Sequence, residues 1–422
     1  MTKLLRALAL FVLAASSLNY LKIHSLWTSV LFIPRVFAGS FSPQVGVLGL
    51  LAALIGWRRK DRGTLLAGGL AAGLALNYMR QVIAPHQAFE AAFGDGWRAK
   101  ISPRQRAAML PRRWTWRLTP TRHPRCERDV VYATLPESGR ELLCDVWQPA
   151  WDVPPSGLAV IRMHGSAWHY GDKGMESSLF CKHLTAQGHV VVDIAYRLAP
   201  ETDLFGMIGD VKRAIAWLKA NAAKYHVNPN RIVLAGGSAG AHLALLTAYS
   251  GTHPALTPAD LDGDMSLRGV ISYYGPVDIR SIFANGKRIY EQNRTLLKVL
   301  ENLYKSAGWI DAEDGLATPD LMMTNLVGCL PEERPDLYDL VSPLCHVSPD
   351  CPPTLMFQGG ADWLIPAVEA RALHQALTEA GVQAVYVEIP HTDHGFDLFQ
   401  PAYSPAAQSA LYDVERFLAL LA

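Results

Sequence analysis

The chain has 422 residues, long for one average domain, with half of them hydrophobic, only 18% charged and a formal net charge of +1. That balance carries no electrostatic footprint of a nucleic-acid partner and directs attention to membrane-associated segments. Six cysteines (Cys126, Cys144, Cys181, Cys329, Cys345 and Cys351) form no CxxC pair and no zinc-ligand spacing. They read as buried thiols, or outside the cytoplasm as one or two disulfides, with Cys345 and Cys351 the nearest pair.

Residues 7–20 are almost wholly apolar behind Lys3 and Arg6. Residues 45–57 and 64–79 are uncharged and apolar, with Arg58, Arg59, Lys60 and Arg62 between them, which predicts a helical hairpin. With their uncharged flanks these runs predict about three transmembrane helices within residues 1–84, and hence a lipid bilayer as partner. Lys and Arg favour the cytoplasmic side, so the basic N-terminus and turn are expected inside and the C-terminal part outside, periplasmic or extracellular. Residues 25–39, apolar apart from Arg35, are read as interfacial; a fourth crossing there would reverse the orientation. Residues 85–128 are read as a basic linker. Its Arg112, Arg113 and Arg117, interleaved with Trp114 and Trp116, are either solvated or laid against anionic headgroups.

From residue 129 short β-branched runs alternate with helical segments, the pattern of a mostly parallel sheet covered by helices on both faces. Eight strands are predicted at 130–133, 141–147, 158–163, 190–194, 232–235, 270–274, 354–358 and 385–389. Residues 210–225 carry Val211, Ile215 and Leu218 on one helical face. Residues 366–380 start with proline and are followed by Gly381, the start and stop chemistry of a helix. Residues 276–342 fit neither period and are read as an inserted cap over the site.

The chemistry gathers where strands end. Strand 232–235 runs into Gly236, Gly237, Ser238, Ala239 and Gly240 and then a helical stretch, the GxSxG pattern in its strand, turn, helix context. Ser238 is the candidate nucleophile. A serine hydroxyl needs a base, and the base needs a carboxylate to orient it. Asp362 follows the strand at 354–358, and His394 sits in a loop after the last strand, with His391 as its local rival. Asp393 and Asp397 are read as surface or second-layer groups. The developing oxyanion needs backbone donors: one is the amide of Ala239 at the helix start, and the others belong to the segment from His164 through Gly165, Ser166 and Ala167 to Trp168. His164 and His242 are read as structural, not as metal ligands.

Together the motifs HGSAW at 164–168, YRLAPE at 196–201, DVKRAIAWL at 210–218, GGSAG at 236–240, GGAD at 359–362 and HGF at 394–396 resemble the hormone-sensitive-lipase-like group. This is the acetyl esterase and carboxylesterase branch of the α/β-hydrolases. The resemblance covers residues 130–422. It implies the α/β-hydrolase fold with a cap insertion, the amides of Ser166, Ala167 and Ala239 as oxyanion donors, and no cofactor. One departure stands out: the family has glycines where this chain has Ser166 and Ala167. The SAGAH run at 238–242 also resembles arylformamidases and prenylcysteine methylesterases.

The expected activity is hydrolysis of short- or medium-chain carboxylic esters through an acyl-enzyme on Ser238. Two alternatives remain open at this stage, an N-formyl or amide hydrolase and a catalytically silent binding module of the same fold.

Overall fold

The computed structural model describes residues 2–21, 27–175, 177–306 and 318–422. Four helices open the chain: α1 (Thr2–Leu18), α2 (Trp27–Ser40), α3 (Ser42–Arg58) and α4 (Arg62–Val82). The hairpin expected from the two apolar runs is the pair α3 and α4. It closes tightly because glycine replaces side chains at the contact: a Cβ on Gly49 would lie 2.7 Å from Ala72 N, and one on Gly68 2.5 Å from Ala53 N. Asp61 caps α4 by accepting from the amides of Gly63 and Thr64, and it pairs with Arg6 at 2.7 Å.

Among the described residues no single helix is long and apolar enough to cross a membrane. Residues Leu31–Ser40 and Ser42–Arg58 meet that measure only as a pair, bent by 77°. The roughly three crossings expected from composition are therefore not found as single helices: α1 and α3 have 17 residues each where a span needs about 20, and α4, with 21, carries Arg62, Asn77 and Arg80. The outward faces are nevertheless apolar: Leu8 and Phe11 of α1, Leu50, Leu51 and Trp57 of α3, and Leu66, Leu70 and Leu76 of α4 are all exposed.

Residues 85–128 do not behave as a free linker. They include α5 (Ala88–Phe93) and α6 (Pro103–Ala108) and dock on the last helix of the chain, α14 (Pro405–Leu421). Arg113 forks onto Asp413 at 2.7 and 2.8 Å, His86 meets the same carboxylate at 3.0 Å, and Leu110 N donates to Glu415 at 2.6 Å. Phe89 and Trp97 share one apolar core with Tyr78 and Val82 of α4 and with Phe357, Val414 and Phe417. The N-terminal helices and the sheet are thus joined through a common core.

All eight expected strands form: β1 (Arg125–Thr134), β2 (Glu141–Gln148), β3 (Ala159–Met163), β4 (Val190–Ile194), β5 (Ile232–Gly237), β6 (Gly269–Tyr273), β7 (Thr354–Gly359) and β8 (Ala384–Ile389). They make one sheet in the order β1-β2-β4-β3-β5-β6-β7-β8, antiparallel at β2 and parallel from β4 to β8. Central strands such as β4 and β6 are buried along their whole length, as strands covered on both faces must be. The covering helices are α7 (Ser178–Ala186), α8 (Leu204–Ala220), α9 (Ala239–Ser250), α13 (Ala367–Glu379) and α14. Helix α8 begins six residues before the expected 210 because Asp203 caps it, accepting from Gly206 N at 2.9 Å. Between β6 and β7 the insertion forms α10 (Ile279–Ser306), α11 (Pro319–Val327) and α12 (Pro335–Leu340); residues 307–317 of the expected cap lie outside the described residues. All six cysteines are free thiols, three of them buried, so the pairing of Cys345 with Cys351 is absent.

Candidate active site

In a doubly covered parallel sheet, the crevice beyond the carboxyl ends of the strands is where loops can converge. Strand β5 reaches that edge at Gly237, and α9 starts two residues later. The chain reverses at Ser238, whose φ of 52° and ψ of −119° lie outside the comfortable regions for an L-residue. Two contacts force this: Ser238 N donates to Tyr273 O at 2.9 Å, and Gly236 and Gly240 leave no room for side chains. A Cβ on Gly236 would lie 2.3 Å from Gly240 C, and one on Gly240 2.4 Å from His164 O.

His394 Nε2 lies 3.0 Å from Ser238 Oγ, and His394 Nδ1 lies 2.9 Å from Asp362 Oδ2. With Nδ1–H donating to the carboxylate, Nε2 is left to accept the serine proton. Asp362 is held from three further sides: its Oδ1 accepts from Leu364 N at 3.0 Å and Ile365 N at 2.8 Å, and its Oδ2 from Gln358 Nε2 at 2.9 Å. Burial pushes the His394 imidazole down, but the Asp362 carboxylate and its hydrogen bond, with the Asp393 and Asp397 charges, outweigh it and leave the pKa raised. His391 faces elsewhere, in ring contact with Tyr20 at 4.6 Å and with Nε2 3.2 Å from Gln81.

The segment after β3 stands beside Ser238. Tyr196 OH donates to His164 O at 2.8 Å and the two rings stack at 4.5 Å, while His164 Nδ1 donates to Gly165 O at 2.9 Å. His164 therefore pins the loop. Ser166, Ala167 and Trp168 follow with φ of 81°, 54° and 62°. Ser166 and Ala167 thus take up the left-handed backbone that glycine would adopt freely, at a cost of about 1–2 kcal/mol per residue. Trp168 Nε1 donates to His242 Nδ1 at 3.3 Å, and His242 Nε2 donates to Val341 O at 2.8 Å. Burial holds His242 neutral, with its pKa driven down to about 4. Neither the Ser166 nor the Ala167 amide donates to a protein acceptor among the described residues, and the Ala239 amide belongs to the first turn of α9, which lacks intrahelical acceptors.

A cavity of about 370 Å³ opens over Ser238 and His394. Its wall includes Met175, Phe180, Leu398 and Leu411, with Arg162 and Asp397 as charged groups. None of the described residues of the insertion lines it; Phe32 of α2 does. The insertion instead braces the acid loop from outside, with Asn285 Nδ2 donating to Leu364 O at 2.8 Å.

Asp393, read from the sequence as a surface or second-layer group, stands behind His394: it is 4% exposed and pairs with Arg35 of α2 at 3.1 Å, a partner the sequence did not name. Asp397 accepts a hydrogen bond from Tyr274 OH, and the Tyr274 ring lies 4.6 Å from that of His394. Arg35 left one signal, a lone charge in the apolar stretch 25–39, because such a charge needs a buried partner.

The sequence pattern of the BD-FAE family matches residues 144–377, more than half of the chain. The chain belongs to the BD-FAE family. Ser238 and Asp362 fall within the matched span of the BD-FAE domain, and His394 lies just beyond it. Esterase LipQ of Mycobacterium tuberculosis is 31% identical over 288 residues, covering 68% of this chain and 61% of that protein. The carboxylic ester hydrolase LipM of the same organism, a probable assignment by its name, is 30% identical over 294 residues, covering 69% and 60%. The chain therefore spans about 60% of the length of these two relatives. A rice protein named as a probable isoprenylcysteine alpha-carbonyl methylesterase is 27% identical, covering 63% of this chain and 57% of its own length. Among solved structures, a truncated carbohydrate esterase from gut microbiota superposes with a TM-score of 0.52 at 25% identity over 70% of this chain and 96% of that one. Esterase 2 of Thermogutta terrifontis gives 0.53 at 23% identity, covering 71% and 95%, which shows a shared fold. Family, sheet order and relatives together fit the hormone-sensitive-lipase-like α/β-hydrolases.

Proposed function

We propose that this BD-FAE chain hydrolyses carboxylic esters with Ser238 as nucleophile, His394 as general base and Asp362 as the carboxylate that orients it. The observation that carries this reading is the continuous row from Ser238 Oγ through His394 to Asp362, with links of 3.0 and 2.9 Å. His394 Nε2 takes the serine proton as Oγ attacks the ester carbonyl carbon, and the resulting oxyanion is met by the amides of Ala239, Ser166 and Ala167. The same proton passes to the departing alcohol. Water, deprotonated by His394, then adds to the acyl carbon, and as the bond to Ser238 Oγ breaks His394 returns that proton to Oγ, releasing the acid. A cavity of about 370 Å³ with a largely apolar wall suits a short or medium acyl chain.

A panel of chromogenic acyl esters tests this with the full chain and with Ser238→Ala. The expected result is turnover of short and medium chains by the wild type, with the variant at least about 10³-fold slower. Full turnover by Ser238→Ala would sink the reading, and faster cleavage of a matched amide would move it to amide hydrolysis.

The exposed apolar faces of α1, α3 and α4 support seating of the N-terminal bundle in the apolar layer of a bilayer. Arg6 meets Asp61 beside the basic turn, while Tyr20 at the opposite end of α1 touches the catalytic loop. With the basic end on the cytoplasmic side, the catalytic part lies outside the cytoplasm. A reporter fused to the C-terminus tests this; a signal only in the cytoplasm would reverse it.

A further inference from the structure

We propose that Arg35 is a positioning residue for the His394 imidazole, which makes helix α2 part of the active site as well as of the N-terminal bundle. The inference rests on His394 being the base. Arg35 is 4% exposed, and its Nη1 lies 3.1 Å from Oδ2 of Asp393, whose side chain is 1% exposed. The other oxygen of that carboxylate accepts from two amides: His394 N at 2.9 Å and Trp363 N at 3.3 Å. Trp363 follows Asp362 directly. One carboxylate therefore ties the backbone of the base loop to the backbone of the acid loop, at the point where His394 and Asp362 must stay within 2.9 Å.

That tie depends on charge. Burial raises the Asp393 carboxyl to about 6, and the neighbouring Arg35 cation is the strongest influence holding it down against that rise. An ionised carboxylate holds amide N–H groups more strongly than a neutral acid does, so the guanidinium strengthens both links. Arg35 is itself well anchored. The Asn19 side chain, in its hydrogen-bonding orientation, donates to Arg35 O at 3.0 Å and accepts from Gly39 N at 3.2 Å. Gly39 packs so closely that a Cβ there would lie 2.6 Å from Tyr78 OH. About one turn before Arg35, Phe32 lines the cavity and meets the Trp363 ring edge-on at 6.1 Å.

The test is a cycle of Arg35→Gln, Asp393→Asn and the double variant in the full chain. Steady-state kinetics on a soluble short-chain ester, labelling by a fluorophosphonate and thermal melting are the readouts. Arg35→Gln is expected to lower kcat roughly 10- to 100-fold with KM within about twofold, because a small displacement of a catalytic group suffices for that loss. Asp393→Asn leaves a buried cation unpaired and is expected to lose activity too. The double variant carries no unpaired charge and keeps an amide oxygen for both N–H groups, so it should recover to within about tenfold of the wild type. Arg6→Gln breaks a different ion pair of the same bundle and should lower the melting temperature while leaving kcat unchanged. Wild-type kcat in Arg35→Gln, additive losses in the double variant, or a double variant that does not fold would each overturn the positioning role. Ser238→Ala, tested separately, decides the underlying hydrolase reading: if it keeps turnover, that reading fails whatever Arg35 does.

Discussion

Ser166 and Ala167, in the segment proposed to meet the oxyanion, sit at φ of 81° and 54°. The segment is held there by Tyr196 on one side and by the Trp168 to His242 bond on the other, so tertiary contacts supply what glycine would give freely. His394 is faced by Asp362, Asp393 and Asp397 and by the ring of Tyr274. These carboxylates outweigh burial and leave the imidazole more basic than an ordinary histidine. Since the neutral form is the base, activity should be full above the raised pKa and fall as pH drops through it. The acid limb of kcat/KM is expected to have its midpoint above the ordinary value of about 6.5. A midpoint at or below that value in a pH–rate profile would contradict the arrangement.

Between elements, a second acid binds α13 to the insertion. Ser281 of α10 donates to Glu369 Oε1 at 2.6 Å, and burial pushes the Glu369 carboxyl up to about 7 from an ordinary 4.5. The sign follows from its being more readily protonated in the folded chain. Its contribution is whole below the ordinary value, and stability is lost as pH rises through about 7. Glu369→Gln keeps the acceptor oxygen and removes the charge. We expect it to gain on the order of 3 kcal/mol at pH 8 and almost nothing at pH 4, measured by denaturant unfolding at both values. Equal effects at the two pH values would show that Glu369 is not buried as a neutral acid at low pH.

Across the whole molecule, the N-terminal helices and the sheet form one body. Tyr78 and Val82 share a core with Phe357 and Phe417, Phe32 borders the cavity, and Arg35 pairs behind His394. Deleting residues 1–84 should therefore not release an active hydrolase. The truncated chain is expected to melt lower and to hydrolyse a soluble ester at least about tenfold more slowly, since it loses core area as well as the Arg35 tie. Full activity in the truncated chain would show that the helices contribute nothing to the site.

The sequence by itself determined the sheet and the three candidate catalytic positions. Both are written in short-range code: β-branched runs between turn residues for the strands, and residues fixed at strand ends, Ser238, Asp362 and His394, for the site. Tertiary structure alone decided the docking of residues 85–128 on α14 and the partnership of Arg35 with Asp393. Each of these depends on which surfaces meet. Arg113 reads as solvated or laid against headgroups until Asp413 arrives from 300 positions away, and Arg35 as interfacial until Asp393 covers it. Burial and charge pairing are properties of contacts between segments distant along the chain, and hydrophobic periodicity within one segment does not encode its partner.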